Sequence, residues 1–231
     1  MANLFSPEKV YATVGTFYPD ADPETSTVDG YARRSAVVEA FSTIRNGAGV
    51  TVDDTFHLIS QLAAAATTNN FDTLGHVYIL FDTSSLGAGA IISSAIFSGY
   101  FQIKSNNLGS PDLHLASSTP ASNTGLVSAD YQQVGRTSFG SITYANFTAS
   151  QYNDITLNAS GISNISKTGI SKFSLQFSWD INNSFTGAWV ADVETRMAIF
   201  SADNAGTTQD PKLVVTYTVP INPKQDIIWF D

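Results

Sequence analysis

The sequence predicts an all-β protein, a jelly-roll-like antiparallel β-sandwich. Three observations carry that reading. Short apolar runs rich in β-branched and aromatic residues recur along the chain, separated by clusters of Gly, Pro, Asn, Asp and Ser. One run, Phe173-Ser174-Leu175-Gln176-Phe177-Ser178-Trp179, alternates with period 2, which predicts a half-buried strand with Phe173, Leu175, Phe177 and Trp179 on one face. Charged residues are only 13% of the chain against 43% hydrophobic, so there is material for a core, and polar roles fall to Ser, Thr, Asn and Gln. At 231 residues one sandwich is a sufficient account; no repeat or linker divides residues 1–219, and 220–231 reads as a tail.

The elements follow in order. Residues 10–14 and 16–18 are extended and stop at Pro19. Residues 20–30 hold Asp20, Asp22, Pro23, Asp29 and Gly30, a loop composition. Residues 31–44 alternate partially and end at the turn signal Asn46-Gly47. Residues 53–66 predict a helix, a small helical insertion over 54–66. Asp53 or Asp54 would cap it, Phe56, Ile59, Leu62, Ala63 and Ala66 fall near helical spacing, and alanine favours the helix. Strands are then expected at 77–81, around Ile91-Ile92 and 96–101, at 113–116, within 138–147 and at 153–157. Ile162 and Ile165 suggest a helical turn before Gly169. Strands at 197–200 and 213–219 complete the set, the last entered through Pro211, which lacks an N–H and suits the start of a strand.

Composition excludes several function classes. A net charge of −9, with Arg33-Arg34 the sole pair of adjacent basic residues, argues against nucleic-acid binding, which needs clustered Lys and Arg. Without cysteine there is no disulfide, thiolate metal site or thiol nucleophile. No apolar run approaches a membrane span. The N-terminus has neither the basic nor the apolar region of a signal peptide. The low-charge composition suits an extracellular or particle surface, and a chain working outside cells would leave without a cleaved signal, for example by lysis.

The chemistry in the chain is sparse. His57, His76 and His114 share no ligand spacing, and no nucleophile elbow or phosphate-binding loop is present. Asp112, Asp154, Asp180, Asp192 and Glu194 could furnish a glycosidase pair, but no spacing selects two of them. The chain is not expected to be an enzyme. Calcium, a hard cation seeking oxygen ligands, has two candidate loops: Asp180, Asn182 and Asn183, and Asp203, Asn204 and Asp210; Asp20-Ala21-Asp22 is a third. The ordinary reading of each is an Asx turn. Trp189, Tyr18 and Tyr31 sit in or beside loops and are candidates for stacking on a sugar ring, with core packing as the ordinary reading. The tail carries Pro220 and Pro223, then Ile227, Ile228, Trp229 and Phe230, an apolar run suited to burial in an assembly.

Three ordered pieces resemble the DNRLRE-type β-sandwich family, a jelly roll akin in shape to carbohydrate-binding modules. They are His76-Val77-Tyr78-Ile79-Leu80-Phe81-Asp82-Thr83-Ser84 followed by Ile91-Ile92-Ser93-Ser94-Ala95; Tyr152-Asn153-Asp154-Ile155-Thr156-Leu157; and the ending from Phe200 to Tyr217. His76 stands where the family often has Arg, and Asp203 where it often has Glu. The stretch from Val28 to Gly49 resembles members encoded by bacteriophages and environmental viruses. The resemblance implies a non-enzymatic structural or adhesive protein of a virus particle, tail or fibre, assembling as a homo-oligomer or with other particle proteins. The alternative it implies is a carbohydrate-binding module for a surface glycan.

Overall fold

The computed structural model describes residues 11–55 and 57–220. Their strands are β1 (Thr13–Phe17), β2 (Asp29–Arg34), β3 (Glu39–Ala40), β4 (Thr51–Asp53), β5 (His57–Ala64), β6 (Asn70–Asp82), β7 (Ile91–Asn106), β8 (Leu113–Ser117), β9 (Gly140–Ile142), β10 (Gln151–Thr156), β11 (Ile170–Phe177), β12 (Glu194–Phe200) and β13 (Lys212–Thr218). Three short helices interrupt them: α1 (Phe41–Asn46), α2 (Ala159–Asn164) and α3 (Ser178–Ile181). The strands form one curled, wholly antiparallel system in the order β1-β13-β7-β12-β5-β6-β11-β8-β9, with β10 on β7, β2 and β3 on β6, and β4 on β2. The all-β sandwich class expected from sequence is the class observed.

The two longest strands make the curl. On one edge of β6, residues 71–75 pair with β5 and residues 77–82 with β11, while β3 and β2 take the other edge. On β7, residues 91–98 pair with β13 and 101–106 with β12, while β10 takes the opposite edge. Each strand therefore belongs to two walls and exchanges partners midway. A glycine sits at each exchange. A Cβ on Gly75 would lie 3.2 Å from the Ile59 carbonyl oxygen, and one on Gly99 3.3 Å from Ile199 Cγ2. These close approaches explain why the bends carry the residue without a side chain.

The core fills the space between the walls. Val77, Ile79 and Phe81 project from one face of β6, and Leu74, His76, Tyr78 and Leu80 from the other; all are buried. A strand covered on both sides needs the dense apolar run that the sequence shows there. Phe81 meets Phe97 and Phe173 edge-on, at centroid distances of 6.5 and 6.2 Å.

Three expectations need correction. Residues 57–64 form strand β5, and no helical insertion exists at 54–66 among the described residues; Phe56 lies outside them. The inward residues Leu58, Ser60, Leu62 and Ala64 follow period 2, and pairing with β12 and β6 on both edges overrides the alanine propensity. The two pieces expected at 91–92 and 96–101 are one 16-residue strand, β7. β11 is buried on both faces, not one: Ser174 and Gln176 are as enclosed as Phe173 and Leu175. Trp179 is buried as expected, but from α3, where the chain turns after Phe177 and the indole packs edge-on against Phe185 at 4.9 Å.

Leu175 sits in the middle of this core. Leu175→Ala should lower unfolding free energy by about 2–5 kcal/mol. Val38→Ala, at an exposed position, should stay within roughly 0.5 kcal/mol. Urea melts of the two variants check both values; equal, small losses would contradict the assigned register.

Candidate functional site

Two aspartates lie entirely out of water, and the protein treats them in opposite ways. Asp180, in α3, is met by two arginines and a histidine. Arg45 Nε lies 3.0 Å from Oδ1, His76 Nε2 2.8 Å from Oδ2, and Arg136 Nη1 also contacts Oδ2. Arg45 additionally donates to the Asp180 carbonyl at 2.9 Å, and Arg136 to Gln176 Oε1 at 2.6 Å. Burial alone would raise the pKa of this carboxylate. His76, Arg136 and Arg45 outweigh burial and hold it below the ordinary value of 3.8.

Four distant chain segments meet at this centre. His76 projects from β6 with its Nδ1 against the Tyr131 carbonyl at 2.9 Å, and the Tyr131 ring stacks on the imidazole at 4.5 Å. The Tyr78 hydroxyl donates to the Asp130 carbonyl, and the Tyr131 hydroxyl donates to the Ile44 carbonyl at 2.8 Å. Gln132 Nε2 donates to the carbonyls of Arg45 and Gly47 at 2.9 and 2.7 Å. The Asp130 carboxylate accepts from the amides of Ala121 and Val127, both at 2.9 Å. Asp180 and His76 are fully enclosed, so this His, Asp and Arg set ties the loop spanning residues 118–136 to the sheet.

Asp29, at the start of β2, is equally enclosed but makes no ion pair among the described residues. Ala202 donates its amide to Oδ2 at 3.0 Å, and Oδ1 has no partner. The charged groups that act on Asp29 are the acids Asp203, Glu24 and Asp210. Burial first, and these acids after it, push its pKa well above 3.8 despite the Ala202 amide. Burial and Asp203 raise Asp210 to about 6. Burial, with Asp22 and Asp54 nearby, raises Glu24 to about 7. Beside this group an open cleft of about 480 Å³ runs between residues 18–21 and 202–210, with Tyr18, Asp20, Asp203, Asn204 and Asp210 in its wall.

The sequence candidates divide accordingly. Asp180 is fully buried and paired with Arg45, Arg136 and His76, while Asn182 and Asn183 are exposed in the turn after α3, with Asn183 at φ 51°. Asp203, Asn204 and Asp210 do line one cleft, where Asn204 Nδ2 donates to Gln209 Oε1 at 2.8 Å. Asp20 is spent on its own loop, accepting from the amides and hydroxyls of Thr25 and Ser26. Of the aromatic candidates, Tyr31 is 5% exposed and has no open face; its hydroxyl donates to Asp53. Trp189 is half-buried against the core, and its indole N–H donates to the Asn70 carbonyl at 2.9 Å. Tyr18 alone is open, at 42%. Ile227, Ile228, Trp229 and Phe230 lie outside the described residues. Sequence reasoning missed Asp29, Glu24, Arg45 and Arg136, which carry no local motif. No protein-family model matches the chain, and no curated protein matches its sequence.

Asp180→Asn keeps the shape and removes the charge. It leaves Arg45, Arg136 and His76 facing one another, and should cost about 3–5 kcal/mol in urea unfolding at neutral pH. Because the folded pKa of Asp180 is depressed, its contribution is full above the unfolded value of 3.8 and is lost as pH falls through the lower folded value. The difference between wild type and variant should therefore shrink in acid; a constant difference down to strongly acidic pH would contradict the ion-pair account.

Proposed function

We propose that this chain is a non-enzymatic structural or adhesive subunit, of the kind that builds the surface, tail or fibre of a virus-like particle, and that it assembles with copies of itself through the β1 edge. The observation that carries this reading is the character of that edge. Among the described residues β1 pairs only with β13, which leaves its other side open. Its sequence, Thr-Val-Gly-Thr-Phe, contains no charge and no proline, the devices that keep exposed edges apart. Val14 is 62% exposed and Ile91, two strands away, 58%, with Tyr11 and Val219 also exposed around them. The opposite end of the strand order is blunt: β9 has three residues. An antiparallel pairing of β1 with β1 of a second copy would satisfy the open backbone groups and cover Val14 in a two-fold, self-complementary contact.

The enclosure of His76 and Asp180 supports the non-enzymatic part, because the chain's best catalytic-looking set performs a structural task. The resemblance to DNRLRE-type sandwiches supports the same class, and a virion or extracellular location with it. Recognition of a glycan, the alternative, is supported by Tyr18, the one open aromatic ring of the three candidates.

Sedimentation velocity tests the assembly. The wild-type chain should sediment as an oligomer, and Val14→Asp should sediment as a monomer with an unchanged far-UV spectrum. A wild-type chain that stays monomeric at high concentration, or a Val14→Asp variant that assembles as before, would overturn the proposal.

A further inference from the structure

We propose that the cleft between residues 18–21 and 202–210 binds a hard divalent cation, calcium by preference, through the carboxylates of Asp203 and Asp210 in its wall, with the enclosed Asp29 and Glu24 behind them. Two observations stand independently behind this. The first is placement: Asp203 and Asp210 share one cleft wall with Ala202, whose amide holds Asp29, and none of these three acids makes an ion pair among the described residues. The second is a set of enclosed oxygens that nothing satisfies. Asp29 is 0% exposed with Oδ1 unpartnered, and Asp210 is 4% exposed with Oδ1 unpartnered; Asp203 Oδ2 and Glu24 Oε1 are likewise without partners. An enclosed carboxylate oxygen with no donor is costly, and native proteins meet that cost with a donor, a proton or a metal.

The loops are built to hold these groups in place. One oxygen of Asp29 is fixed by the Ala202 amide, and one oxygen of Asp203 by the Asp22 amide at 2.6 Å, which turns the second oxygen of each away from those donors. Asp20 gathers the amides of Thr25, Ser26 and Thr27 and so fixes the loop that carries Asp22 and Glu24. Among the described residues no three acidic side chains already meet at one coordination centre. Side-chain rotation, backbone carbonyls and retained water would complete the shell. Calcium accepts 6–8 oxygens in irregular geometry, whereas magnesium demands a near-ideal octahedron, and the all-oxygen set offers nothing for a softer metal. The raised pKa values of Asp29, Asp210 and Glu24 agree with a site short of positive charge.

This inference does not depend on the assembly reading. The test uses the full chain stripped with EDTA, then titrated with calcium chloride while thermal unfolding and binding heat are followed. Saturating calcium should raise the melting temperature by roughly 5 °C or more. Asp210→Asn and Asp29→Asn should lose that response, and in EDTA each should melt at or above the wild-type temperature, because each removes an uncompensated charge. If Asp29→Asn fails to fold, Asp210→Asn decides the matter alone. Absence of any response in the wild type, or an undiminished response in Asp210→Asn, would overturn the proposal and leave the group held by protons.

Discussion

A carboxylate taken out of water must be met by positive charge, by donors or by a proton, and this molecule faces that constraint twice. At Asp180 the answer is two arginines and a histidine drawn from three other parts of the chain. Much of the architecture follows from that one group. The loop over residues 118–136 lies on the outer face of β6 because Arg136 and Tyr131 are held there; α1 is held because Arg45 and the Ile44 carbonyl are. Removing the charge would loosen a surface of the sheet, not one contact. At Asp29 the charged groups that act most strongly are the acids Asp203, Glu24 and Asp210, and a bound cation is the answer proposed above. The same physics makes one centre a self-contained staple and the other the proposed cation site.

The sheet supplies the frame in which both can exist. β6 and β7 each serve two walls, and their partner exchange at Gly75 and Gly99 wraps the sheet around a continuous aromatic and aliphatic core. The curl also brings residues 13–29 beside 201–217: β1 lies on β13, and Ala202 donates to Asp29 across 173 positions of sequence. The acidic cleft is thus a product of topology. The open β1 edge is too, because β1 is the first member of the strand order.

The sequence revealed the parts of this fold that are local. β6, β11, β12 and β13 were legible because apolar runs and alternation mark strands directly, and Pro211 marked where the last one begins. β5 is ambiguous in sequence because Ile59, Leu62, Ala63 and Ala66 fall near helical spacing while Leu58, Leu62 and Ala64 fall at strand spacing; only its two neighbours, β12 and β6, choose between them. Burial of Ser174 and Gln176 was hidden for a similar reason, since polar residues on alternate positions read as a wet face. In the structure Ser174 Oγ donates to the Ser117 carbonyl at 2.9 Å and Gln176 Nε2 to the Gly135 carbonyl at 2.8 Å, so both are enclosed without loss. Of the acidic cleft, Asp203, Asn204 and Asp210 stood out as a turn-rich loop. Asp29 did not, because a single Asp before Gly30 has the look of an ordinary turn residue. Arg45, His76 and Arg136 gave no signal as partners of Asp180, since ion pairs between distant segments leave no spacing to read.

The central claim is that two equally buried aspartates carry opposite electrostatic environments. Carboxyl carbon NMR, followed through an acid titration of the folded chain in metal-free buffer, measures this directly. Asp180 should titrate below the ordinary value of 3.8 and Asp29 well above it. Two aspartates titrating together near the ordinary value would contradict the account.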